Sequence, residues 1–84
     1  MLKEIIKEQI KEIIIQCLPS QIAKEDIIGN DLINELGINS VDALEIFVWI
    51  ENTFEIQIDD EDLNSELIAS LDNLTEYVFR KKNI

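Results

Sequence analysis

The sequence contains no histidine, a single cysteine, one proline and two glycines, and only seven of its residues are lysine or arginine. Each scarcity excludes something. Without histidine or a second cysteine the chain has neither the usual zinc ligands nor a Cys/His catalytic pair. The lone Cys17 cannot close an intramolecular disulfide and reads as a small buried apolar residue on the first helix. So few turn-forming residues argue against an all-β sandwich. A hydrophobic content of 46% is too high for a disordered chain. No apolar run approaches the roughly 20 residues that span a bilayer, and the amino terminus alternates Ile with Lys and Glu, unlike a secretion signal.

The shortage of cations leaves 18 acidic residues and a net charge of −11. Such a field repels nucleic acid and anionic membranes and attracts basic patches on other proteins. Eighty-four residues suit one domain, spanning 1–84, with one small core. The expectation is an acidic, helical monomer of a reducing, cytoplasmic compartment, with protein partners, no nucleic acid and no stable membrane association.

Hydrophobic periodicity divides the chain. Between Leu2 and Leu18 the residues Leu2, Ile6, Ile10, Ile13, Ile14 and Cys17 recur at helical spacing, opposite Glu4, Lys7, Glu8, Lys11 and Glu12, and Pro19 ends the segment. Residues 20–39 have no sustained period, but Ile22, Ile27, Ile28, Leu32, Ile33, Leu36 and Ile38 pin them to the core as a long loop, with a short helical turn near Asp31 to Leu36 and an unusual backbone angle at Gly37. A second helix runs from Ser40 to about Phe54, capped by Asn39 or Ser40, with Leu44, Phe47, Ile50 and Phe54 inward and Ala43 and Ile46 beside them.

The run Asp59 to Asp62 places acid at the start of a short third helix anchored by Leu63 and Leu67, where the helix dipole favours it. Ser70 caps a fourth helix that turns Leu71, Leu74, Tyr77 and Val78 inward and ends in Arg80, Lys81 and Lys82. Leu36, Ile38, Ile58 and Leu67 close the gaps between helices. The fold class expected is all-α, a four-helix bundle with a long first loop and a short third helix. On this phasing Leu44→Ala costs roughly 2–5 kcal/mol.

No set of acid, base and nucleophile suggests catalysis. The acidic run lacks the alternating ligands, central glycine and distant glutamate of an EF-hand loop, so no metal site is expected. Ser40 stands apart: it follows Leu36-Gly37-Ile38-Asn39 and opens a helix, where free N–H groups favour an anion. Taken alone, a capping role would explain it. The outward face of the same helix, however, carries Val41, Glu45, Val48 and Asn52, flanked by Asp42 and Trp49. Valines among acids fit a small docking surface, steered by charge and held by apolar contact. Trp49 fits either that surface or a core position under a neighbouring loop.

The stretch Leu36-Gly37-Ile38-Asn39-Ser40-Val41-Asp42-Ala43-Leu44-Glu45 resembles the signature of the acyl carrier proteins, and the similarity extends from about Asp31 through Val78, including Phe54, the link from Ile56 to Asp60 and Tyr77. Asn39 stands where that family usually has Asp, Val41 where Leu or Met is commoner, and Trp49 where a small or aliphatic residue is expected.

The resemblance implies that Ser40 receives 4′-phosphopantetheine from coenzyme A through a phosphopantetheinyl transferase and carries acyl groups as thioesters. It implies that acyl synthases and transferases with basic docking patches read Asp42, Glu45 and Glu51 by charge and Val41 and Val48 by apolar contact. It also implies an acyl cavity lined by Leu44, Phe47, Ile58, Leu63 and Leu67, restricted by the large Phe47. The chain would then be a carrier and not an enzyme, serving fatty-acid or related biosynthesis. Polyketide, lipid A-type, aminoacyl or D-alanyl transfer are alternatives within the class. An unmodified acidic interaction module is the alternative outside it.

Overall fold

The structure, a computed structural model, describes residues 2–18, 23, 25, 27 and 29–82. Three long helices make the frame: α1 (Lys3–Cys17), α3 (Ser40–Phe54) and α5 (Leu71–Lys82). Two short ones lie in the connections, α2 (Leu32–Leu36) before α3, and α4 (Ser65–Ala69) after a 3₁₀ turn at Asp60–Asp62. The all-α bundle with a long first connection and a short helix before the last is therefore as expected.

The buried residues follow the helical repeat. Helix α1 buries Ile6, Ile10, Ile13 and Ile14, α3 buries Ile46, Phe47, Ile50 and Phe54, and α5 buries Leu71, Leu74, Thr75 and Val78. The α1 helix packs on both α3 and α5. Lys3 pairs with Glu76 at 2.7 Å and Lys7 with Asp72 at 3.3 Å, so α1 and α5 run antiparallel. These exposed pairs fix little energy. Lys11 pairs with Glu8 at 3.5 Å along α1 itself.

The first connection is pinned as its apolar content suggests, with Ile27, Leu32 and Ile38 buried; Ile22, Ile28 and Pro19 lie outside the described residues. Gly29 is the close approach. Its carbonyl accepts the Leu71 N–H at 3.0 Å, its φ is 91° and a Cβ there would lie 2.8 Å from the Leu71 Cβ, so no larger residue fits without a shift. The Glu35 carboxylate accepts the N–H groups of Gly29 and Asp31 at 3.2 and 2.8 Å. Asp31 caps α2, and Gly37 ends it in the left-handed region at φ 65°.

The link after α3 is tied down by side chains. Glu51 Oε2 accepts the Ile58 N–H at 2.8 Å. The Tyr77 hydroxyl donates to Asp62 at 2.8 Å and accepts the Asp59 N–H at 3.3 Å, while Lys81 reaches the Asp59 carboxylate at 3.0 Å.

The sequence expectations need correction at four places. Leu44 is 59% exposed, so the inward stripe of α3 is rotated away from it towards Ile46. Leu2 is exposed at the start of α1. The expected third helix is two pieces, because the Asn64 side chain accepts the Leu67 N–H at 3.0 Å and starts α4 afresh. Its buried anchor is consequently Ile68, with Leu67 half-buried and Leu63 exposed. No helix among the described residues is long and apolar enough to cross a membrane.

Candidate functional site

The start of α3 is built by Asn39. Its backbone is extended, its carbonyl accepts the Ala43 N–H at 2.9 Å, and its side-chain oxygen accepts the Asp42 N–H at 2.8 Å. Asn39 is therefore the cap, and Ser40 is the first residue of the helix proper. Ser40 is exposed, and its hydroxyl is not engaged in capping. The Ser40 and Val41 N–H groups have no protein acceptor among the described residues. An exposed hydroxyl beside two free amides at a positive helix end suits a phosphodiester, whose oxygens need donors and whose charge favours that dipole.

Ser40 also borders a cleft of about 320 Å³ between α2, α3 and α4. Its apolar lining comes from Ile33, Ala43, Leu44, Phe47, Leu63 and Ile68. Asn39, Asn64 and Ser65 supply polar edges, and among the described residues no ionisable side chain lines it. None of the described lining residues is a base that could take the Ser40 proton.

Of the five expected cavity residues, the cleft brings together Leu44, Phe47 and Leu63. Ile58 is instead sealed in the core, and Leu67 lines a different cleft beside Tyr77 and Arg80. Ile33, Ala43 and Ile68 escaped the sequence reading. Only Ile68 had a visible signal: Asn64 and Ser65 form a capping pair, and a helix starting there turns the fourth residue inward.

The exposed face of α3 carries Val41, Leu44, Glu45, Val48, Trp49 and Asn52, with Asp42 half-buried at its edge. Val41 is 72% exposed, and Trp49, at 46%, is not a core residue. Leu44, whose inward placement fails, thus joins this face and the lip of the cleft together. Glu51 differs from the other acids of α3: it is half-buried, and its carboxylate is held by the Ile58 N–H. Cys17, at the end of α1, lies within the field of this face. Burial pushes its thiol up to about 11, with Glu45 and Asp42 adding to the rise.

An acidic helical domain with a serine exposed at a helix start, beside a largely apolar cleft, presents a hydroxyl open to covalent attachment. Sequence comparison gives the class. The family model described as "Phosphopantetheine attachment site" matches residues 2–78. The chain is 33% identical over 79 residues to an acyl carrier protein of Chlorobium phaeobacteroides, covering 90% of this chain and 94% of that one. It is 35% identical over 81 residues to an acyl carrier protein of Buchnera aphidicola, covering 94% of each, and 33% identical over 78 residues to that of Chloroherpeton thalassium, covering 92% of each. The chain belongs to the acyl carrier protein family. Membership implies a covalently attached phosphopantetheine group, and proteins of this family are carriers served by a phosphopantetheinyl transferase and by acyl-handling enzymes, not enzymes themselves.

Proposed function

We propose that Ser40 is the attachment residue and that the chain is a single, monomeric carrier domain over 1–84, holding acyl thioesters for fatty-acid or closely related biosynthesis in the cytoplasm. The observation that supports this most is the division of labour at the start of α3, where Asn39 caps the helix and leaves the exposed Ser40 hydroxyl uncommitted. A serine needed as cap would have its oxygen turned to the backbone.

In the loading step the Ser40 oxygen bonds to the phosphorus that bears pantetheine in coenzyme A. The pyrophosphate P–O bond breaks, adenosine 3′,5′-bisphosphate leaves, and the hydroxyl proton goes to a base of the transferase. Among the described residues the cleft beside Ser40 supplies no such base. The Ser40 and Val41 amides favour the resulting anion. Held on Ser40, the group would supply a thiol able to carry acyl groups as thioesters, and the residues of the cleft would shelter the acyl chain. Asp42 and Glu45 steer basic partners while Val41, Leu44 and Val48 supply contact area. Glu51 braces the link after α3 and adds only background charge.

Incubation with coenzyme A, magnesium and a broad-specificity transferase tests the assignment by intact mass. The expected result is one phosphopantetheine adduct on the native chain and none on Ser40→Ala. Failure with several transferases, with helicity intact by circular dichroism, would leave an unmodified acidic interaction module in its place.

A further inference from the structure

The three helices around the cleft are each capped by a side chain, and the caps differ in charge. Asp31 caps α2 by accepting the Asn34 N–H, and it does not line the cleft. The two caps that do line it are amides: Asn39, which accepts the Asp42 N–H at 2.8 Å, and Asn64, which accepts the Leu67 N–H at 3.0 Å. The chain has 18 acids, yet among the described residues none lines this cleft, and Asp42 in the first turn of α3 is not among the lining residues either. Asn and Asp cap about equally well through their oxygens, and a carboxylate adds attraction to the positive helix end. At Asn39 that attraction is given up. The cap of a 15-residue helix therefore leaves the positive end uncovered, with the Ser40 and Val41 N–H groups open among the described residues.

We infer, on the reading that Ser40 is the attachment residue, that Asn39 is a positioning residue for the arm: its uncharged cap reserves the helix end for the phosphodiester on Ser40. The anion then takes the Ser40 and Val41 N–H groups and is fixed against α3, so that the arm leaves from a held root. A carboxylate in place of the Asn39 amide would cap as well, but it would stand one residue from the phosphodiester, repel it and compete for the same dipole. Asn64 extends the same neutrality to the facing edge of the cleft. Loading should consequently stabilise the start of α3, and the gain should depend on the charge of the caps and not on capping itself.

The test compares unloaded and phosphopantetheine-loaded forms of wild type, Asn39→Asp, Asn64→Asp and Asn73→Asp at low salt, by thermal midpoint and by the amide proton resonances of Ser40 and Val41. Asn73→Asp adds the same charge on α5, outside the cleft. Loading should raise the wild-type midpoint by roughly 2–6 °C, the effect of an anion at a helix start, and move both amide resonances downfield. In Asn39→Asp the gain should fall to less than about half, with smaller movement of the resonances. The unloaded variant should melt no lower than wild type, since its cap is kept. The gain should fall less in Asn64→Asp and match wild type in Asn73→Asp. About 1 M salt should close the differences. An equal gain in wild type and Asn39→Asp, or an equal fall in Asn73→Asp, overturns the inference. A loaded wild type with no gain and unmoved amides overturns it too, while leaving Ser40 as the attachment residue. If Asn39→Asp accepts no arm, Asn64→Asp decides, and a gain there equal to wild type overturns the inference. Absence of any adduct on wild-type Ser40 removes the underlying reading and this inference together.

Discussion

Cys17 sits half-buried at the end of α1 as the chain's only thiol. If Ser40 carries a thioester as proposed, a thiolate within reach of it would accept acyl groups by exchange. Burial, then the charges of Glu45 and Asp42, push it from 9.0 up to about 11, favouring the neutral thiol in the folded state. The sign follows: this contribution to stability is intact below the ordinary thiol range and is lost as pH rises from 9.0 towards 11. At pH 8 the thiolate population falls about a hundredfold, and the greater nucleophilicity of a more basic sulfur recovers roughly tenfold. A neutral disulfide reagent should therefore modify native Cys17 on the order of tenfold more slowly than the urea-unfolded chain. Equal rates would show that the fold does not protect the thiol. The sequence placed Cys17 on the apolar stripe of α1, but the acids that deepen the effect come from α3 and become neighbours only through packing.

At the scale of the element, α3 shows where periodicity misleads. Leu44, Phe47 and Ile50 are spaced by three, and a run of threes advances about 60° short of a full turn at each step, so it spirals off any single face. The buried set Ile46, Phe47, Ile50 and Phe54 mixes steps of one, three and four and stays on one side. Ile50→Ala should cost roughly 2–5 kcal/mol, whereas Leu44→Ala should cost less than about 1 kcal/mol, in place of the large loss that its inward phasing implied. Urea titration of both variants measures this, and a large loss in Leu44→Ala would restore the original phase. The long helices, the turn at Asp31 to Leu36 and the cap at Ser70 were legible because each combines a period with a start signal. The end of α3 was less so, since Glu55 and not glycine takes the left-handed position at φ 55°. The cleft was half legible. Leu44, Phe47 and Leu63 were named from resemblance, but whether Ile58 or Ile68 completes it depends on the break at Asn64, a single cap that overrides the apparent continuity of an acidic helix.

Across the whole molecule the charge is lopsided. No lysine or arginine occurs between residues 25 and 79, so α2, α3 and α4 carry acids alone, and the cations of the helices lie on α1 and the last turn of α5. Lys3, Lys7, Lys11 and Lys81 are already paired with Glu76, Asp72, Glu8 and Asp59. The element that begins with Ser40 therefore carries an uncompensated negative field, and an approaching basic enzyme is oriented before contact. Glu45 is exposed on that helix, so Glu45→Lys reverses charge without touching the core. At low salt the variant should be loaded by a basic transferase on the order of tenfold more slowly, chiefly through slower association. Raising ionic strength to about 1 M shortens the screening length to roughly 3 Å, and the difference should shrink towards zero because wild type slows to meet the variant. A penalty that persists unchanged at high salt would mean that Glu45 makes a short-range contact in the complex. No penalty at low salt would mean that partners approach by another face.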